Sequence, residues 1–128
     1  MPTPATTDVE VPTANLVVLR GVASGPPEVR TLTSGRRIAT LSVRVHALDP
    51  GFTSVPVAVR EPPAWVEDLD EGAPVVVVGA LRRRFFKTAS GATGARVEVE
   101  ARLIGRGGDR RRLETARRRA EEELEGLG

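Results

Sequence analysis

The 128-residue chain has no cysteine and no tyrosine, one histidine, one tryptophan and three phenylalanines. Without cysteine there are no disulfides, thiolate metal ligands, cysteine nucleophiles or iron–sulfur ligation. With His46 as the only imidazole, ordinary zinc and paired-histidine centres lack donors. No metal or other cofactor is therefore expected. No apolar run approaches the roughly eighteen residues a membrane-spanning helix requires. The opening MPTPATTDVEVP has neither the basic segment nor the apolar run of a signal peptide, so a cytoplasmic protein with no membrane partner is expected. Lysine is nearly absent too. Lys87 is the sole lysine among 19 basic residues, which face 17 acids for a net charge of +2. The positive charge is thus carried by guanidinium groups, which stay protonated at any working pH.

Hydrophobic residues at 40% and charged residues at 28% are ordinary for a folded domain, and the length suits a single core. Composition divides the chain into a Pro/Thr-rich flexible leader over 1–13, a β-rich domain over 14–105 and a charged helix over 106–128. Gly105, Gly107 and Gly108 punctuate the second boundary.

Asn15–Gly21 reads as an apolar strand, with Val17 and Leu19 on one side and Leu16 and Val18 on the other. Both faces need cover, which argues for a neighbour beyond the strand's own core. Gly25-Pro26-Pro27 turns the chain, Glu28–Thr33 extends it, and Ser34-Gly35 turns it again. Ala39, Leu41, Val43 and Val45 alternate with Thr40, Ser42, Arg44 and His46, the period of a half-buried strand. After a loop over 48–51, Val55, Val57 and Val59 carry a third strand, with Pro56 marking an edge or irregular point. Pro62 to Gly72 predicts a short helix held by Trp65 and Leu69. Val75–Leu81 is an apolar strand that runs on into Arg82–Lys87. After the loop Thr88–Gly94, Arg96–Ile104 returns, with Val97, Val99, Ala101 and Leu103 on one side. Five strands, a helix between the third and fourth, and a long final hairpin are the order of a five-stranded Greek-key barrel, the OB-fold, in a mainly β protein.

Three segments then resemble bacterial single-stranded DNA-binding proteins in order and spacing. They are Asn15-x-Val17-x-Leu19-x-Gly21, Pro27-Glu28-Val29-Arg30 closing at Ser34-Gly35, and Gly72-x-x-Val75-x-Val77-x-Gly79-x-Leu81-x-Arg83. The match runs from about Asn15 to Ile104. This resemblance implies an OB barrel that forms a homodimer or homotetramer and coats single-stranded DNA, or RNA, without sequence preference. It also implies no catalysis, a nucleoid-associated location, and roles in replication, recombination or repair. The chain would be an aromatic-poor member: only Phe86 falls clearly at a position where that family stacks bases. Its end, Leu124–Gly128, lacks that family's acidic, apolar tip.

The candidate nucleic-acid-binding residues follow from strand parity. Arg82, Arg84 and Phe86 share the face opposite Leu81 and Phe85, the pair with the buried parity. Lys87 extends the row, and Arg36, Arg37 and Arg44 widen it if the second and fourth strands adjoin. Guanidinium forks grip phosphate and also lie flat on bases. The bland alternative is a solvated strand edge whose charges deter aggregation. Phe52 is read as a loop residue that stacks on bases or packs on its own barrel, and Trp65 as packing. His46 and the acids Glu67, Asp68, Asp70 and Glu71 carry no visible proton-transfer or metal chemistry.

The terminal segment places Leu113, Ala116, Ala120, Leu124 and Leu127 on one thin stripe between arginines and glutamates. A helix this short is marginal alone, so docking on the barrel or on another subunit is expected. The competing function is an interaction or scaffold protein of the primosome-adapter type, which keeps the barrel and has weak or no DNA binding.

Overall fold

Valine and its β-branched neighbours favour the pleated, half-buried surface of a sheet, and the computed structural model, which describes residues 13–126, carries six strands and two helices. The leader expected over 1–13 lies, except for Thr13, outside the described residues, as do Leu127 and Gly128. The strands are β1 (Val17–Ala23), β2 (Glu28–Thr31), β3 (Arg37–His46), β4 (Phe52–Arg60), β5 (Pro74–Lys87) and β6 (Thr93–Arg106). The helices are α1 (Ala64–Glu67) and α2 (Arg110–Glu125).

The sheet order is β1-β5-β6-β4-β3-β2, and a further β1–β3 pairing joins its ends. β1 and β2 both run antiparallel to β3, so they act as two halves of one strand bent at Ser24–Pro27. Counted that way, five strands close into a barrel. All neighbours are antiparallel except β4 and β6, which pair in parallel at Val57↔Val99 and Ala58↔Glu100. The protein is mainly β, with an OB-fold barrel, a short helix between its third and fourth strands, and a C-terminal helix.

Two glycines permit the closure. At Gly21, β1 is still paired with β5 as it reaches β3, and a Cβ there would collide with the backbone carbonyl of Arg44. At Gly79, a Cβ would strike the carbonyl of Glu100 on β6. The β5–β6 register shifts beside Gly79: Val78 faces Leu103, Gly79 faces Ala101, and Arg102 is skipped as a bulge. This bulge corrects the simple alternation expected for the last strand. It sends Ile104 into the core with Val99, and turns Leu103 to the outside.

The interior holds Ala39, Leu41, Val43, Val57, Val59, Val75, Val77 and Val99, with Val66 and Leu69 plugging one end. α1 is a single turn after Pro63, shorter than the helix expected over 62–72. Val66 and Leu69 both have to enter the barrel end, and Gly72, at φ 87°, then turns back so that its N–H donates to the Ala23 carbonyl.

The outer face of β1 and β5 finds its expected neighbour in the chain's own α2, which docks on the barrel: Leu113 and Ala116 pack on Val76, Val78, Leu16 and Leu103. Asp109 caps the helix by accepting from the Arg112 N–H at 3.2 Å, and Arg102 pairs with Glu123. The stripe docks only at its start, since Leu124 is exposed. Among the described residues no helix is long and apolar enough to cross a membrane.

Ala116→Asp places a carboxylate against two buried valines, and should lower the unfolding free energy by about 2–3 kcal/mol, read from the urea midpoint. Gly21→Ala should be at least as damaging, because backbone, not a flexible side chain, occupies the space.

Candidate nucleic-acid interface

Strand alternation puts the odd-numbered residues of β3 and β4 inside the barrel and the even-numbered ones outside. The outer face therefore presents Thr40, Ser42, Arg44 and His46 from β3, and Phe52, Ser54, Pro56, Ala58 and Arg60 from β4. The β5–β6 hairpin rises past this wall as an arm. On the arm, Arg82, Arg84 and Phe86 lie opposite Glu98, Arg96 and Gly94 on the same face.

Between the arm and the β2–β3 hairpin runs a groove. One end is lined by Ser24, Pro26, Glu28, Ser42, Pro56 and Arg96. It continues past Arg30, Thr40 and Arg84 to a floor of Ala58, Arg60, Arg82, Glu98 and Glu100. It ends beside Leu32, Arg36, Arg37, Ile38 and Glu61. Adjacent stretches share lining residues, so these depressions follow one another along the same face. Seven arginines line them against four glutamates.

The expected site residues do not all stand free in it. Arg82 and Arg84 do share a face, but Arg82 donates to Glu100 at 3.0 Å and Arg84 lies 3.9 Å from Glu98. Arg60 donates to the same Glu100 at 2.6 Å, so one carboxylate bridges β4 and β5. Arg37 lines the end of the groove, but its guanidinium is held at 2.8 Å by Glu67 of α1. Arg36 sits beside it. Arg44 lies further along the face, 5.2 Å above the Phe52 ring, whose edge meets His46 at 4.9 Å. Lys87 ends β5 at the arm's tip. Arg30, Arg36, Arg96 and Lys87 make no ion pair among the described residues.

The aromatics are also redistributed. Phe86 lies across Gly94, where a Cβ would meet its ring, so one side of the ring is occupied and it remains 41% exposed. Phe52 begins β4 instead of sitting in a loop, is 60% exposed, and stands on the arginine-bearing wall. Leu81 and Phe85 have inward parity but are not buried: they are 51% and 63% exposed. β1 has already ended there, with the Asn15 side chain bonding both backbone groups of Leu81, and no opposite wall remains. Trp65 packs on the core beneath the Arg106 guanidinium.

Arg30, Arg60 and Arg96 line the groove and Phe52 stands on the same wall; from the sequence Arg60 is only a weaker candidate, Phe52 a loop residue, and Arg30 and Arg96 have no assigned role. Parity with Pro56 and Ala58 would have found Phe52 and Arg60. Counting the hairpin register outward from its loop would have placed Arg96 opposite Arg84. Arg30 carried no such signal. A scan against models of known protein families finds no match for the chain.

The hydrogen bond from Arg60 lowers the Glu100 pKa, burial opposes this, and the charges of Arg60 and Arg82 lower it further. A carboxylate depressed in the folded state stabilises the fold above its unfolded pKa, and that contribution is lost as pH falls through the folded value. Because Glu100 is about one-third exposed, the effect is small, about 1 kcal/mol or less. Urea unfolding of wild type and Glu100→Gln across pH should show a gap at neutrality that closes below the ordinary glutamate range.

Proposed function

We propose that the protein binds single-stranded nucleic acid, DNA in the first instance, without sequence preference and without catalysing a reaction. One observation carries this reading: a row of arginine-lined depressions follows the outer wall of an OB barrel, and an exposed Phe52 stands on the same wall. A flexible strand lying in the groove would meet Arg30, Arg96 and Arg36 as phosphate contacts. Arg44 and Phe52 would offer planar faces to its bases, with Phe86 and Lys87 at the arm. Planar partners on the wall, the Arg44 guanidinium and the Phe52 ring, can be used by the unpaired bases of a single strand and not by bases stacked inside a duplex. Roles in replication, recombination or repair, a homo-oligomeric state and a nucleoid-associated location belong to the same proposal, as what a single-strand coater would serve.

The balance of forces sets the character of binding. Base stacking on an aromatic contributes about 1–3 kcal/mol per base, and this wall offers few rings. Phosphate contacts must therefore supply most of the affinity. Each neutralised phosphate on a single strand adds about 0.7 to the log–log salt slope.

A second reading, an interaction protein of the adapter type, is supported by Leu81, Phe85 and Val97, which form an exposed apolar strip on the arm's other face. The two readings separate in a titration of fluorescent oligo-dT over a range of salt. Four contacts would give a slope of about −3, and duplex DNA should bind more weakly. Phe52→Ala should weaken oligo-dT binding about 5- to 150-fold. Arg96→Ala should flatten the slope by about 0.7. Affinity insensitive to salt, or unchanged in Arg44→Ala/Phe52→Ala, would favour the adapter.

A further inference from the structure

The floor of the groove holds two carboxylates among arginines, and one of them contributes nothing evident to the fold. Glu98 is the only buried charged residue among those described, at 3% exposure, and its Oε1 has no hydrogen-bond partner. Its nearest cation, Arg84, is 3.9 Å away, beyond hydrogen-bonding distance. A buried carboxylate left this way opposes folding, and a neutral residue of the same shape would serve stability better. Glu100, two residues on, faces the same groove and accepts from Arg60 Nε and Arg82 Nη1 through one oxygen, Oε2. The two acids line the same depression as Arg60, Arg82 and Arg84, so a phosphate reaching those guanidiniums would meet the carboxylates first.

We propose that Glu98 and Glu100 are built-in competitors for the nucleic-acid backbone. Glu100 holds the guanidiniums of Arg60 and Arg82, Glu98 faces that of Arg84, and a phosphate approaching these arginines must displace the carboxylates. This rests on the nucleic-acid reading and deepens it. Arginines already paired release few counterions when phosphate arrives, because they carry an internal anion in place of a condensed one. Wild-type binding is then weaker and less salt-dependent than the arginine count of the groove implies. A coating protein restrained this way lets go of its strand readily. The opposite role is also chemically sensible: carboxylates that hold arginines in place for phosphate would strengthen binding. The two roles predict opposite signs.

The test uses the full chain and compares wild type, Glu98→Gln, Glu100→Gln and the double variant in oligo-dT titrations at several salt concentrations. Glu114→Gln/Glu121→Gln serves as control: it makes the same charge change and also frees an arginine, Arg117, but on the outer surface of α2. The double groove variant should bind about tenfold or more tightly at low salt and steepen the slope by about 1.4–2, two to three phosphate contacts at 0.7 each. The control should move far less. Thermal unfolding followed by circular dichroism checks folding, and Glu98→Gln alone should melt no lower than wild type. If wild type binds and the groove variants bind equally or more weakly, the competitor role is overturned. A gain matched by the control overturns it too, as an effect of net charge. If neither wild type nor any folded variant binds at low salt, the nucleic-acid reading itself falls.

Discussion

The double pairing of β1 is the constraint on which the rest of the molecule depends. One short strand bonds to β5 along most of its length and to β3 at its end, and Gly21 makes the crossing possible because nothing projects from its α-carbon. Closure fixes which side chains are inside. Once odd-numbered positions of β3 and β4 fill the interior, the even-numbered ones must form the outer wall, and Arg44, Phe52 and Arg60 share a surface although they are distant in sequence. Gly79 and the bulge at Arg102 make the matching adjustment on the far side.

The same closure explains why the arm differs from the barrel. Below Gly79, β5 is walled on both sides, and four consecutive valines are buried. Above it, β1 has ended and Asn15 terminates the ladder at Leu81. The strand continues as a two-stranded ribbon whose inward parity no longer meets a core. Its other face is turned to the groove, where arginine and glutamate meet across the strands. Electrostatics on this surface is therefore a matter of register: Arg82 faces Glu98 and Arg84 faces Arg96, so a one-residue slip would rebuild every pair.

The docking of α2 shows how the remaining apolar surface is managed. The outward valines of β5 would otherwise lie open, and a helix with two well-placed small or aliphatic side chains covers them. A thin stripe suffices because only the first half of the helix packs apolar side chains on the barrel. The second half is tied to it by charge, through Arg102 and Glu123, while the Arg117 pairs lie within the helix.

The sequence by itself determined the inventory of strands, the barrel class and the alternation that separates core from wall, because these follow from local periodicity and turn chemistry. It placed Val75, Val77 and Val99 in the core, and Arg82 and Arg84 together on one side of a strand. It could not tell that Phe85 is exposed, that α1 stops after one turn, or that Leu103 faces outward; each depends on where a neighbouring strand ends or bulges. Nor could it tell which arginines stand free. Ion pairing across strands depends on register and closure, which bring Glu100 between Arg60 and Arg82 from positions 40 and 18 residues away. Tertiary structure decided that, because a charge is neutralised by what lies within a few ångströms, and sequence distance does not set that separation.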